Sequence, residues 1–112
     1  MHRERSRFPA VTIIIAGTIT IDPAKVDEAL ADAAEAMRAT HQEEGNLAYV
    51  FSASPIEPGV LHLFEKWESE ANLGPHSQAE HFKTLQSKMA SWGVKGADVK
   101  KYVIESEGPL FG

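Results

Sequence analysis

Glu65, Trp67, His76 and His81 fall in one run of the chain, Phe64-Glu65-Lys66-Trp67-Glu68-Ser69-Glu70-Ala71-Asn72-Leu73-Gly74-Pro75-His76-Ser77-Gln78-Ala79-Glu80-His81-Phe82. Imidazole is the side chain best suited to trade protons near neutrality, and a large aromatic wall beside a titratable group gives an apolar pocket a reactive spot. The run concentrates most of the polarisable and titratable chemistry of the chain, which makes it the place to look for proton transfer. Side chains on a strand alternate, so Leu63, Glu65 and Trp67 share one face and His62, Phe64 and Lys66 the other. Trp67 then has two readings, core packing or the wall of a pocket. Glu65 on the same apolar face must be tied to donors or serve as a functional acid, because a buried carboxylate needs a partner or a shifted pKa.

His76 precedes Ser77-Gln78-Ala79-Glu80, which matches a capping box, so it is placed at the positive end of a helix as a proton acceptor; the alternative is a loop histidine without a duty. On an unbroken helix His81 would project about 140° away from His76, at about 100° per residue, so the pair is poorly placed to chelate one ion and no metal site is expected. His81 borders the Leu85 side of an apolar stripe, where it either looks into a cavity or is a half-buried structural residue. Tyr49 has the option of pointing its hydroxyl into the same space. His62 belongs to the opposite face, and Asn46 serves a turn. A glycine-rich phosphate loop, a dinucleotide fingerprint, H-E-x-x-H and a nucleophile elbow are all missing from the sequence, so bound nucleotide cofactors are not expected.

The elements that position these residues follow from pattern. Val11 to Thr20 is β-branched nearly throughout and reads as a strand with apolar residues on both faces, so each side of its sheet needs a cover. Asp22-Pro23 supplies a helix N-cap and first-turn proline, and Val26, Leu30, Ala33, Ala34, Met37 and His41 recur at helical spacing as far as Gly45. Leu47 to Ser54 and Val60 to Glu68 read as strands joined by the loop Pro55-Ile56-Glu57-Pro58-Gly59. After Trp67 come a short helical turn and Pro75, and a second helix opens at Ser77 and buries Phe82, Leu85 and Met89. Gly93 and Gly96 end it, and Lys100 to Glu105 reads as the last strand. The fold class is therefore α+β: a ferredoxin-like split β-α-β-β-α-β arrangement, a four-stranded antiparallel sheet with its helices on one face. The bare face predicts a homodimer packed sheet to sheet.

At 112 residues the chain is a single domain over 10–112 behind a flexible tail over 1–9. A net charge of −5 argues against a nucleic-acid partner, and the cluster Arg3, Arg5 and Arg7, interrupted by Glu4, reads as solvated tail. With no cysteine there is no disulfide, thiolate nucleophile or thiolate metal site, in keeping with a cytoplasmic location. The longest apolar stretch, Val11 to Ala16, is too short to span a bilayer, so no membrane association is expected.

Gly45-Asn46-Leu47-Ala48-Tyr49, Phe64-Glu65-Lys66-Trp67, His76 and His81-Phe82, in that element order, resemble the signature of the antibiotic biosynthesis monooxygenase (ABM) family of dimeric α+β barrel proteins. The resemblance runs through nearly all of the chain after Pro9. It implies oxidation of a small hydroxylated or quinoid aromatic by molecular oxygen without metal or flavin, hence no cofactor. A substrate deprotonated to a delocalised anion can itself pass an electron to oxygen, so the protein needs a base, an apolar slot and donors for the anion. By the resemblance His76 is the base, Trp67 the wall and His81 or Tyr49 a polar contact; Glu65, Phe82 and Leu85 are further candidate substrate contacts beside them. Haem-degrading relatives place an asparagine on the first strand where this chain has Gly17, which disfavours haem breakdown. A sugar-phosphate isomerase of the same family would use the same base without consuming oxygen. The rival from another class is a non-catalytic or stress-associated barrel that sequesters a small hydrophobe.

Overall fold

The computed structural model describes residues 11–112; the arginine cluster and the tail read over 1–9 lie outside the described residues. Four strands, β1 (Ile13–Thr20), β2 (Asn46–Ala53), β3 (Val60–Trp67) and β4 (Gly96–Val103), form one antiparallel sheet in the order β2-β3-β1-β4. The register sets Ile13 opposite Trp67, Ile15 opposite Glu65 and Tyr49 opposite Glu65 from the other side, so β1, β2 and β3 present these side chains to one layer. This is the split β-α-β-β-α-β arrangement expected from the sequence.

The first helix begins as expected: the Asp22 carboxylate accepts the Ala24 N–H at 2.9 Å, and Pro23 starts a 3-10 turn, Pro23–Lys25, that leads into α1 (Val26–Thr40). Its buried face is Ala29, Ala33, Ala36 and Thr40, flanked by the partly buried Val26, Leu30 and Met37. Small residues on that line let α1 lie close against the sheet, where it packs on Ile19, Ile21, Phe51, Leu61 and Leu63.

The second helical region departs from the expected short turn followed by a helix opening at Ser77. The capping box forms earlier: the Ser69 hydroxyl accepts the Ala71 N–H at 3.2 Å and the Asn72 side-chain oxygen accepts the Ser69 N–H at 3.0 Å. A 3-10 turn, Glu70–Asn72, then runs into α2 (Leu73–Gln78), where Pro75 costs nothing because a first-turn N–H has no helical partner. At Ala79 the backbone is extended, with φ −69° and ψ 145°, and α3 (Glu80–Met89) starts in a new direction. The Ser77 hydroxyl donates back to the Gly74 carbonyl at 2.9 Å and caps nothing ahead of it. Beyond α3, Trp92 is fully buried and its indole N–H donates to Asp32 on α1 at 2.9 Å, pinning the end of the second helical region to the first helix.

The last strand also begins earlier than its composition suggests. Gly96-Ala97-Asp98 is a poor strand sequence, but β1 offers a free edge over its full length and the Lys95 N–H already bonds the Thr20 carbonyl at 2.7 Å. The sheet face away from the helices carries Val50, Phe64 and Tyr102, which are between 40% and 48% exposed in the single chain. Among the described residues no helix is long and apolar enough to cross a membrane.

Candidate functional site

The end of β3, the short α2 and the loop after α1 meet at one imidazole. His76 is buried, its ring centroid 4.8 Å from that of Trp67, 4.9 Å from Phe82 and 5.5 Å from Tyr49. Trp67 comes from β3, Tyr49 from β2 and Phe82 from α3, so every layer of the fold contributes one wall. His76 itself occupies the last turn of α2 and accepts the Ala79 N–H on its backbone carbonyl at 3.1 Å. Its ring thus sits at the carbonyl end of a short helix, not ahead of an amino end as the capping-box reading had placed it.

Glu43 organises the cluster. The His76 Nδ1–H donates to its Oε2 at 2.9 Å, and the His81 Nε2–H donates to the same oxygen at 2.5 Å. The expected divergence of the two histidines is overturned, because the extended residue Ala79 interrupts the helix across which their angle was counted. Glu43 lies in the loop after α1, and that loop is fixed: the Glu43 N–H bonds the Thr40 carbonyl at 2.9 Å, and the Glu68 N–H at the end of β3 bonds the Gly45 carbonyl at 2.8 Å. With Nδ1 engaged by the carboxylate, the bare nitrogen of His76 is Nε2, which is buried and has no hydrogen-bond partner.

Glu65 is 6% exposed, and its carboxylate accepts the Trp67 indole N–H at 2.9 Å, so of its two sequence readings the tie to a donor is what forms. Burial pushes the Glu65 carboxyl above its ordinary value; the indole hydrogen bond and the nearby His76 oppose that shift, and Glu43 adds to it. Burial, followed by the Glu65 and Glu43 charges, raises the Tyr49 phenol far above its usual range. Tyr49 therefore presents a neutral phenol to the cluster.

The remaining candidates divide. Phe82 packs on His76, whereas Leu85 is buried in the helix–sheet core with Ala36 and Trp92 and reaches the His81 side only. His81 is half-buried and lines a cleft of about 380 Å³ between α1 and α3, shared with Asp32, Glu35, Thr84 and Lys88. Glu43 lines a second, smaller cleft of about 210 Å³ with Asn72 and Pro75. His76 and Trp67 border neither cleft. The indole and the imidazole do converge, but they pack on one another instead of facing across the hollow expected between them. His62 is exposed on the open face, and the Asn46 amide donates to the Ala48 carbonyl at 3.0 Å, a local structural use.

Sequence reasoning missed Glu43 altogether. Nothing in Gln42-Glu43-Glu44 distinguishes it from a solvated acidic loop, and its partners lie 33 and 38 residues downstream. The signal that could have found it is indirect: a histidine drawn into an aromatic cluster needs a partner, and the β2–β3 pairing carries the loop before β2 to the end of β3.

The chain and its fold have relatives. A sequence model of the antibiotic biosynthesis monooxygenase family matches residues 12–88. A conserved protein from Methanosarcina mazei Go1 superposes with a TM-score of 0.76 at 23% identity, covering 84% of this chain and 93% of that one. A crystal structure named as an antibiotic biosynthesis monooxygenase gives a TM-score of 0.70 at 26% identity, covering 87% of this chain and 99% of the other. Rv0793 from Mycobacterium tuberculosis gives 0.77 at 18% identity, covering 88% and 99%. In sequence, sll1783 from Synechocystis sp. is 29% identical over 92 residues; the match takes in 82% of this chain but only 63% of that protein. The element order, the sheet and the matched span together place the chain in the antibiotic biosynthesis monooxygenase family.

Proposed function

We propose that the protein is a cofactor-independent monooxygenase acting on a small hydroxylated or quinoid aromatic, with His76 as the base. The observation that carries this reading is the state of the two ring nitrogens: Nδ1 is held by Glu43 while Nε2 is buried, bare and ringed by Trp67, Tyr49 and Phe82. A carboxylate that fixes the tautomer leaves the other nitrogen ready to take a proton and steadies the imidazolium that results. Nε2 would remove the phenolic proton, and the delocalised anion would give one electron to molecular oxygen. Recombination of the radical pair at a ring carbon bearing hydrogen forms a hydroperoxide, which loses water. One phenol and one O₂ become one quinone and one water, so the substrate supplies every electron. Phe82, half-buried at the start of α3, and the six-residue α2 are the parts that must yield to admit a ring to Nε2.

His76→Ala should lower substrate-dependent oxygen uptake by about 100-fold or more, the usual worth of a positioned base. Undiminished uptake in a folded variant would remove His76 from the role. Glu43→Gln should reduce kcat about tenfold with KM nearly unchanged, because Glu43 positions the base without touching substrate. The isomerase reading shares the base and is separated by an oxygen electrode. Haem breakdown is disfavoured at Gly17, where even a Cβ would lie 2.0 Å from the Asp98 carbonyl oxygen, leaving no room for an amide side chain.

A second reading, a barrel that binds a small hydrophobe without turnover, is favoured by the closed packing of Trp67 on His76. A broad panel of quinols that reacts no faster than its background oxidation would support it over the enzyme. In either reading we take the active form to be a cytoplasmic homodimer joined through the open sheet face.

A further inference from the structure

We propose that Glu43, His76 and His81 form a binding site for a first-row divalent metal ion of the zinc type. Two imidazoles and one carboxylate, with further positions open, are a common protein ligand set for such ions. His76 Nδ1, His81 Nε2 and a Glu43 oxygen all lie within 4.8 Å of one another. Ligand bonds of about 2.0–2.2 Å put neighbouring ligand atoms about 3.3 Å apart in a tetrahedral site. The two observed N···O separations, 2.9 and 2.5 Å, need to widen by about 0.4–0.8 Å and the remaining separation, which is within 4.8 Å, to close by up to about 1.5 Å to meet that spacing, a rearrangement within reach of side-chain rotation. Two N–H groups aimed at one carboxylate oxygen are what such a trio adopts when protons stand where the ion would.

The surroundings suit an ion. The three side chains are 6%, 27% and 15% exposed, in the order His76, His81 and Glu43, so the site is sheltered without being sealed. His81 lines one cleft and Glu43 the other, giving an ion a way in and an open coordination position a way out to solvent. The feature that builds the site is the extended backbone at Ala79, which turns α3 so that His81 returns to the carboxylate held by His76.

Occupancy has a chemical consequence. A neutral imidazole that coordinates through Nδ1 carries its proton on Nε2, so the ion and the proposed base action exclude each other at His76. The site does not rest on the oxygenase reading, and its test needs no substrate. The full-length protein, treated with chelator and titrated with Co²⁺, should develop visible d–d absorption that saturates at one ion per chain and is displaced by Zn²⁺. Glu43→Gln and His81→Ala should each weaken binding by at least about 100-fold, since even outer-shell partners are worth 10- to 100-fold. Both residues are partly exposed, and circular dichroism checks their fold; His62→Ala, on the open face, should bind as the parent does. Absence of the d–d bands, or binding left unchanged by both Glu43→Gln and His81→Ala, overturns the proposal.

Discussion

Glu65 is the residue whose charge state most directly couples the site to stability. Its neighbours are Trp67 on its own strand, Tyr49 from β2, His76 from α2 and Glu43 from the loop after α1. Its folded-state pKa lies above the ordinary value of 4.5, so the folded chain binds this proton more tightly than the unfolded chain does. The stability this proton contributes is present in full below the ordinary value and is lost as pH rises through the folded one. Glu65→Gln keeps a carbonyl oxygen for the indole N–H and removes the titration. Its Tm should therefore rise relative to the parent as pH climbs from about 4 to about 8, and parallel Tm profiles would refute the assignment. At this scale the sequence named every member of the cluster except Glu43. Trp67, His76 and Phe82 were visible because aromatic and imidazole side chains are scarce and lay close together in the chain. Glu43 was not, because one acid in an acidic loop acquires meaning only from residues that folding brings to it.

Among the elements, β1 shows how a residue without a side chain sets the spacing of a sheet. A Cβ at Gly17 would meet the Asp98 carbonyl oxygen at 2.0 Å and the Val99 Cα at 2.7 Å, both backbone atoms of β4 that cannot swing aside. Gly17→Ala should cost about 3 kcal/mol by forced overpacking, read from urea unfolding. A loss below about 0.5 kcal/mol would mean that β4 shifts freely. The strands and α1 were legible because β-branched runs, the Asp22-Pro23 start and the apolar spacing all point the same way. The break at Ala79 was not, since alanine is a good helix former and the contacts that go with its extended backbone, His76 and His81 on Glu43, join residues far apart in the chain. The reach of β4 back to Gly96 was likewise decided by the waiting edge of β1.

For the whole molecule, the open sheet face is the feature that asks for a partner. Val50 and Phe64 stand opposite one another on β2 and β3, with Tyr102 on the same face of β4, and all three are substantially exposed in the isolated chain. A sheet-to-sheet homodimer would cover them. Phe64→Asp should weaken it by about 2 kcal/mol, roughly thirtyfold in Kd, moving light-scattering mass toward the single chain at micromolar concentration. A parent protein already monomeric under those conditions would contradict the assembly. The strand order carries one more consequence, for biosynthesis. β1 is translated before the other strands yet lies between β3 and β4, so one of its ladders waits for residue 67 to be made and the other for residue 103. Until β3 is complete an apolar, β-branched segment has no strand neighbour from its own chain, and until β4 is complete it keeps one bare edge, which makes the nascent polypeptide prone to mispairing before its last strand leaves the ribosome.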